Sequence, residues 1–301
     1  MRELALALRE QVLPLLGSHA ARAHEDETGA GGDVTFAIDE RAESTLEAFL
    51  AERAPSVAFY SEDRGLVKPG GSAETVLVVD PIDGTRPALA GLESCCVSVA
   101  AAPLREGVTM GEVRSACLVE ILHGTVYLAE RGAGLVESPP VRLSRNEAVE
   151  RMFWAYGFRG RPARPTVEVL GDLIDASSVG GASFDLGSVC FDMARIATGG
   201  LDACVEPGPR LIDERPELRA DFERVGGGAV LNNSPYDLAA ATLVLEEAGG
   251  VVSDAYGRSL ADCPLLGSGH EFQMSLVACA NAVLHEKLLA AIDAGISRIL
   301  G

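Results

Sequence analysis

The sequence predicts a mixed fold of the α+β or layered α/β type. Two segments with helical periodicity precede a block of strand-like segments, and three more helical segments follow in the second half of the chain. Helices and strands therefore come in blocks and not in a regular βαβα alternation, which argues against a barrel. With 301 residues, the chain can form one large domain or two ordinary ones.

The N-terminal part is expected to contain two helices. Residues 3–16 carry apolar side chains at helical spacing, and Pro14 should kink or end that helix. Residues 40–53 repeat the pattern and stop before Pro55.

A group of strands is expected to follow these helices. Residues 75–79 form a short β-branched run, typical of a buried strand, that ends at Asp80. Residues 94–102, 112–122 and 124–130 are also strand-like, and a His-Gly turn signal separates the last two. The sequence therefore predicts an antiparallel meander in this half.

The second half of the chain is expected to be mainly helical. Residues 185–198 and 237–248 each have an apolar face and end at a Gly-Gly pair. Residues 281–300 predict a further helix with a break at Gly295. Residues 207–235 are charged and contain several prolines and glycines, which predicts a long excursion around one short helix, such as lids and partner contacts often use.

Composition and charge exclude several classes of protein. A net charge of −19 disfavours binding to nucleic acid or to anionic lipid surfaces. No stretch approaches the roughly 20 apolar residues of a membrane helix, and the N-terminal apolar run is too short and charged for a secretory signal. Seven cysteines without a C-x-x-C pair argue against a disulfide framework or a zinc ribbon. We therefore expect a cytoplasmic protein with no nucleic acid or membrane partner.

The central chemical signal is the hexapeptide Asp80 to Thr85 (Asp-Pro-Ile-Asp-Gly-Thr), which directly follows a predicted strand. Two carboxylates three residues apart at a strand end can converge on one hard cation, and the carbonyl of Ile82 can join them. Gly84 lets backbone N–H groups approach an anion, and a helix beginning near Thr85 would point its positive end at that anion. The alternative is an ordinary strand-to-helix turn in which the acids cap the backbone.

Three other elements place acids at the ends of predicted strands or helices. Glu62 follows the strand-like residues 57–60, and Asp237 stands at the start of a predicted helix. Asp33 and Asp39 flank an extended stretch before another helix. Taken singly, each has an ordinary explanation as a loop acid or a helix N-cap. Their occurrence together with the hexapeptide favours a shared site.

These four elements, in this order, resemble the inositol monophosphatase family within the lithium-sensitive, magnesium-dependent phosphatase superfamily. The resemblance runs from about Asp33 to the C-terminal helix. It implies a layered α-β-α-β-α sandwich of the sugar phosphatase type, usually assembled as a homodimer. We expect one catalytic unit, 1–301, with an N-terminal α+β half, 1–145, a C-terminal α/β half, 146–301, and an inserted segment, 207–235.

The resemblance also implies a set of metal ligands. Glu62, Asp80 and the carbonyl of Ile82 would hold a first magnesium ion, and Asp80, Asp83 and Asp237 a second. Glu62 would also bind a third ion loosely, and manganese is an alternative to magnesium.

By the same resemblance, Thr85, hydrogen-bonded towards Asp39, would work with Glu62 to position and deprotonate the attacking water. No phosphoenzyme is expected. The residues expected to contact the phosphate or the rest of the substrate are Gly84, Thr85, Asp83 and Glu206.

The chain departs from the family pattern directly after Thr85, where Arg86-Pro87-Ala88 replaces a small polar residue, Asn and an aromatic. The substrate therefore stays open between a polyol or sugar monophosphate resembling inositol 1-phosphate, fructose 1,6-bisphosphate, a 3'(2'),5'-bisphosphate nucleotide and histidinol phosphate. A second phosphate would need basic partners, for which Arg86, Arg159 and Arg210 are the candidates. A non-catalytic dimeric homologue that binds metal or phosphate is the alternative from another class.

Overall fold

The protein, described here from a computed structural model, contains nine α-helices spread along the described part of the chain. The structure describes residues 1–28, 34–68 and 72–300. The helices are α1 (Arg2–Val12), α2 (Ala37–Arg53), α3 (Thr85–Ala90), α4 (Ala163–Ala176), α5 (Val189–Thr198), α6 (Gly208–Glu214), α7 (Arg219–Val225), α8 (Pro235–Glu247) and α9 (Ala282–Leu300).

The first half of the chain forms a small hairpin and a larger, seven-stranded sheet. Strand order in this sheet is β4-β3-β5-β6-β7-β8-β9, and every neighbouring pair is antiparallel except β3 and β5. The hairpin strands are β1 (His24–Thr28) and β2 (Val34–Phe36), and the sheet strands are β3 (Ala58–Ser61), β4 (Gly65–Val67), β5 (Thr75–Asp83), β6 (Cys96–Pro103), β7 (Ser115–Glu120), β8 (Val126–Glu130) and β9 (Gly134–Glu137).

The second half forms a five-stranded sheet of order β11-β10-β12-β14-β13. Here β10 runs parallel to β11 and β12, while β14 is antiparallel to β12 and β13. These strands are β10 (Phe153–Tyr156), β11 (Ala182–Phe184), β12 (Ala203–Glu206), β13 (Val251–Ser253) and β14 (Leu276–Cys279).

Helices and sheets alternate in five layers because each sheet is apolar on both faces. In β5, Leu77 and Val79 pack towards α1 and α2, whereas Val76 and Val78 point to the other side, against α5 and α8. The second sheet covers the far side of α5 and α8, and its own outer face packs on α4 and α9. The order is therefore α-β-α-β-α, as the sequence resemblance implies, and the mixed fold class is confirmed.

Several predicted boundaries shift for local reasons. The predicted helix 185–198 begins later, at Val189, because residues 182–184 form a strand and Ser188 caps the helix by accepting a hydrogen bond from the Phe191 N–H at 3.2 Å. The expected break in α9 at Gly295 is wrong. A Cβ at that position would lie 2.3 Å from the carbonyl oxygen of Val169, so this glycine permits close packing of α9 against α4.

The predicted excursion at 207–235 contains two short helices and not one. Leu211 of α6 and Phe222 of α7 are 1% and 0% exposed and belong to the same apolar core as α9. Arg210 forms a 2.6 Å ion pair with Asp293 of α9. The helical part of this segment is therefore packed into the outer layer.

All seven cysteines carry free thiols, and six of them are buried. Among the described residues, no helix has the length and apolar character that crossing a membrane requires.

Candidate functional site

A β-bulge in β5 brings the two aspartates of the hexapeptide together. The strand does not end at Val79 but continues through Asp83. Its pairing with β6 passes from Asp80–Ser98 to Asp83–Cys96, so three residue steps on β5 oppose two on β6. Because a bulge adds one residue to one strand, the side chains of Asp80 and Asp83 turn to the same face.

Gly84 makes the turn that follows. Its φ of +92° lies in the left-handed region, which favours glycine. A Cβ there would lie 2.6 Å from the carbonyl oxygen of Ser94 and 2.9 Å from the Cβ of Ser188, so the position also lacks room for a side chain. The chain then enters α3 at Thr85.

Asp80, Asp83 and Asp237 form a cluster in which carboxylate oxygens from all three lie within 4.8 Å of one another. Asp237 comes from the first turn of α8, where its Oδ2 also accepts a 2.5 Å hydrogen bond from the N–H of Ser234. Asp237 therefore caps α8 and also belongs to this group of carboxylates. We call these three residues the carboxylate cluster.

The protein fixes one oxygen of each strand aspartate. Asp80 Oδ1 accepts from the N–H of Ile82 at 2.9 Å. Asp83 Oδ2 accepts from the Ser188 hydroxyl at 2.6 Å and from the N–H of Cys190 at 2.7 Å. These contacts hold both carboxylates in place at the cluster.

Burial and mutual repulsion destabilise the charged forms of these acids. Burial, followed by the negative charges of Glu62, Asp83 and Asp237, raises the pKa of Asp80 well above its usual value. Burial also raises the pKa of Asp83, against the hydrogen bond from Ser188, and raises the pKa of Asp237 to about 7, with a further contribution from Asp83. A cluster of hard oxygen donors whose negative charges repel one another suits a divalent cation.

Glu62 lies in the turn between β3 and β4 and lines the same pocket as the cluster. It is not one of the three carboxylates that lie within 4.8 Å of one another. The residues on either side of it are held by Glu43 of α2, which accepts hydrogen bonds from the Ser61 hydroxyl at 2.8 Å and from the N–H of Asp63 at 3.3 Å. The sequence offered no reason to single out Glu43 among the acids of its helix.

Thr85 and Asp39 meet beside the cluster. Thr85 Oγ1 lies 3.0 Å from Asp39 Oδ1 and 3.2 Å from the carbonyl oxygen of Ile82, and the hydroxyl donates its single proton to one of them at a time. Asp39 Oδ2 accepts from the N–H of Phe36 at 2.9 Å, so Asp39 also caps α2. Burial raises the pKa of Asp39 to about 7, opposed by these two hydrogen bonds. Asp33 lies outside the described residues.

A second cavity, which we call the side pocket, opens from the cluster. Four residues line both: Asp83, Arg159, Gly187 and Asp237. Glu206, at the end of β12, lies in the side pocket and forms a 2.8 Å ion pair with Arg161. Burial raises the pKa of Glu206 to about 7, and the positive charge of Arg161 opposes the shift.

Arg161 is a site residue that the sequence reasoning missed. It follows the end of β10 by five residues, and the parallel neighbour β12 delivers Glu206 at its own end. Its position five residues beyond β10 carried no local signal, because only the parallel pairing of β10 with β12 brings this part of the chain to Glu206.

The three arginines considered as partners of a second phosphate lie in different parts of the structure. Arg86 and Arg159 line the pocket of the cluster, and Arg159 also lines the side pocket. Arg210 lines neither, which corrects that expectation. Its guanidinium donates to the carbonyl of Ala255 at 2.6 Å and pairs with Asp293, because α6 faces α9.

Comparison with known proteins gives consistent matches. A sequence model described as the inositol monophosphatase family matches residues 1–297. The fructose-1,6-bisphosphatase/inositol-1-monophosphatase of Methanothermobacter thermautotrophicus is 28% identical over 305 residues, which cover 96% of this chain and 94% of that protein. The Nus factor SuhB of Xylella fastidiosa is 26% identical over 268 residues, covering 88% and 84%.

Among solved structures, the IMPase of Thermotoga maritima superposes with a TM-score of 0.70 at 20% identity. The match covers 99% of this chain and 97% of that one. At this identity the superposition shows a shared fold.

Proposed function

This chain belongs to the inositol monophosphatase family and is a phosphatase of phosphate monoesters, and from that premise we propose that it hydrolyses the monophosphate of a small polyol or sugar with magnesium as its cofactor. The resemblance seen in the sequence motifs is thereby confirmed. The finer statements on substrate, ion and residue roles are our proposal.

The observation that carries the proposal is the carboxylate cluster. Three carboxylates within 4.8 Å of one another, two of them almost fully buried, repel one another unless a positive charge lies among them. The donors are hard oxygens, which suits Mg²⁺ or Mn²⁺. We assign Asp80, Asp83 and Asp237 as ligands, with Glu62 and the carbonyl of Ile82 completing two or three ion sites.

A divalent cation bound there would neutralise charge on the phosphoryl group and lower the pKa of a water molecule. Thr85 and Glu62 would orient the attacking water, and Asp39 would hold the Thr85 hydroxyl through the 3.0 Å contact. The backbone N–H groups of Gly84 and Thr85 would bind the phosphate oxygens. Glu206 would receive a hydroxyl of the leaving group in the side pocket.

A monophosphate is favoured over a bisphosphate by the distribution of basic groups. Arg210 is held by α9, and Arg161 is paired with Glu206. Arg86 packs over the Phe36 ring, with its guanidinium carbon 5.4 Å from the ring centroid.

Two further features belong to the same proposal. The chain is proposed to assemble as a homodimer, which sedimentation would test. Lithium is proposed to inhibit by competing for one of the magnesium positions, and full activity in high lithium would contradict the assigned ion sites.

The direct test is phosphate release from a panel of esters, each with magnesium and with EDTA. The panel comprises inositol 1-phosphate, fructose 1,6-bisphosphate, adenosine 3',5'-bisphosphate and histidinol phosphate. We expect magnesium-dependent release with the highest kcat/KM for the polyol monophosphate. A clear preference for either bisphosphate, or no release from any ester, would overturn the proposed substrate.

A further inference from the structure

We propose that the buried ion pair between Arg161 and Glu206 determines leaving-group specificity by making the side pocket selective for uncharged, hydroxyl-rich leaving groups. The inference rests on the proposed function, because it takes the carboxylate cluster as the place where the phosphate is bound.

The ion pair lies where the leaving group of such an ester must go. The side pocket shares Asp83 and Asp237 with the carboxylate cluster, so an ester whose phosphate is at the cluster extends directly into it. Glu206 and Arg161 are 6% and 9% exposed, which removes most of the solvent screening between them.

The surrounding chain holds the pair in one arrangement. Arg161 Nη1 donates to the carbonyl oxygen of Arg159 at 2.8 Å, and Nη2 donates to Asn233 Oδ1 at 3.4 Å. Gly157 leaves room for the carboxylate, since a Cβ there would lie 2.6 Å from Glu206 Oε1. Arg161 cannot turn away from Glu206 without breaking these two hydrogen bonds.

The end of the segment 207–235 supports this arrangement. Asn233 is 7% exposed and contacts Arg161 directly. Leu231 closes over Gly160, where a Cβ would lie only 2.5 Å from the Leu231 Cβ. The segment therefore contributes to the side pocket through residues 231–233, and its helices anchor these residues to the outer layer.

The charges around the side pocket balance. Beyond the carboxylate cluster, the lining residues that carry charge are Arg159 and Arg161 on one side and Asp185 and Glu206 on the other. Asp192 also lines the pocket, and burial raises its pKa well above its usual value, which favours its protonated form. A pocket with this balance offers no excess charge to a second phosphate or to an ammonium group.

Several residues that line the pocket also have buried polar side-chain atoms without a hydrogen-bond partner. Five of the eight buried side-chain polar atoms without a hydrogen-bond partner, counted over the described residues, belong to residues lining it. One is Glu206 Oε2, whose 2.8 Å contact with Arg161 is an ion pair outside hydrogen-bond geometry. The side chains of the lining thus include both donor and acceptor groups, as a hydroxyl-bearing ligand requires. The five atoms are Arg161 Nε, Asp192 Oδ1, Glu206 Oε2, Asn232 Oδ1 and Asn233 Nδ2.

The experiment uses two variants that change the net charge of the side pocket in opposite directions, R161Q and E206Q. The values of kcat/KM are measured with magnesium at pH 8 for inositol 1-phosphate, histidinol phosphate and fructose 1,6-bisphosphate, whose leaving groups are neutral, cationic and anionic. R161Q should raise the ratio of histidinol phosphate to inositol 1-phosphate by about tenfold or more, the scale of one charge-assisted hydrogen bond. E206Q should raise the ratio of the bisphosphate to inositol 1-phosphate by a similar factor.

The matched control is R298Q, since Arg298 pairs with Asp172 at 2.7 Å on the partly exposed surface between α9 and α4. It should leave both ratios within about twofold of the wild type. Unchanged ratios in R161Q and E206Q, or a shift of both in the same direction, would overturn the inference. If R161Q does not fold, N233A, which removes the acceptor at 3.4 Å, is expected to shift the ratios in the R161Q direction by a few fold.

The wild-type enzyme separates this inference from the proposed function. Absence of magnesium-dependent release from all three esters would defeat the proposed function. Magnesium-dependent release by the wild type combined with unchanged ratios in the variants would defeat only the role of the ion pair.

Discussion

The Ser61 hydroxyl donates a 2.8 Å hydrogen bond to Glu43 Oε2, and the N–H of Asp63 donates to the other oxygen of the same carboxylate at 3.3 Å. Glu62 stands between the two donors. Glu43 is 1% exposed and belongs to α2, so this helix fixes the turn that presents Glu62 to the pocket. Glu43 acts in this way as a positioning residue.

Replacing Glu43 by alanine is expected to weaken magnesium activation. Partners that orient metal ligands typically contribute ten- to a hundredfold to metal affinity, so the magnesium concentration for half-maximal activity should rise by about that factor. Leaving the two donors without an acceptor should also lower the free energy of unfolding by about 1–3 kcal/mol. A magnesium titration of activity and a denaturant titration measure the two effects. Glu47→Ala, which removes an exposed ion pair with Arg64, is the control and should do neither.

Asp83→Asn is expected to abolish turnover without unfolding the protein. The variant loses one negative charge of the carboxylate cluster, which corresponds to several kcal/mol of transition-state stabilisation and thus to about a thousandfold or more in kcat. The amide oxygen can still accept from Ser188 and Cys190, and the loss of repulsion should leave the metal-free variant at least as stable as the wild type. Turnover above a tenth of the wild-type value would contradict the ligand assignment. Single-turnover phosphate release and thermal unfolding in EDTA provide the measurements.

Without metal, the protein should become less stable as the pH rises from about 4 to 8. Burial raises the folded-state pKa of Asp39, Glu43 and Asp237 to about 7, so the folded state binds more protons than the unfolded state across this range. The stability that these protonated groups contribute is complete below the unfolded-state pKa near 4 and is lost as the pH rises through 7.

Magnesium should reverse this trend because it binds the ionised carboxylates. Thermal unfolding at pH 5 and pH 8, with EDTA and with magnesium, tests both statements. The increase in Tm caused by magnesium should be larger at pH 8. An equal increase at the two pH values would argue against the carboxylate cluster as the binding site.

Loss of the contact between Thr85 and Asp39 should reduce kcat more than it reduces metal binding. General acid–base assistance contributes about 10²- to 10⁴-fold, so Thr85→Ala should lower kcat by at least a hundredfold while half-maximal magnesium changes little. Burial raises the pKa of Asp39 to about 7 in the metal-free protein, and bound cations should lower it, so wild-type kcat should rise with pH below this value as the carboxylate ionises. The Asp39→Asn variant should have a low kcat at all pH values, and its kcat should not show this rise with pH. If kcat of the variant still rises with pH as in the wild type, the ionising group must be a residue other than Asp39.

The parts of the site that were predictable each lie in a short sequence motif. Asp80, Asp83 and Gly84 belong to one hexapeptide, and Asp237 stands at a recognisable helix start, so the motifs taken together were sufficient. The bulge in β5 was not predictable, because it depends on how β6 pairs alongside it. The layered fold was accessible through the resemblance, whereas the α5 start at Val189 depends on the strand that precedes it.

Contacts between distant segments account for what was missed. Glu43 is one of several acids on α2, and only the packing of α2 against β3 distinguishes it from the exposed Glu47. Arg161 and Glu206 meet because β10 and β12 pair in parallel over a long crossover. Arg210 was misassigned for the same reason, since its partner Asp293 lies on α9.

The three acids of the carboxylate cluster come from two different layers of the fold. Asp80 and Asp83 are anchored in the larger sheet, and Asp237 in α8, whose remaining contacts with that sheet are mainly apolar side chains. A cation held among them is therefore a removable cross-link between sheet and helix. The spacing between these layers determines how well the ion is bound, so a substitution in the apolar core that surrounds α8, such as Leu243→Ala, can change metal affinity without touching a ligand.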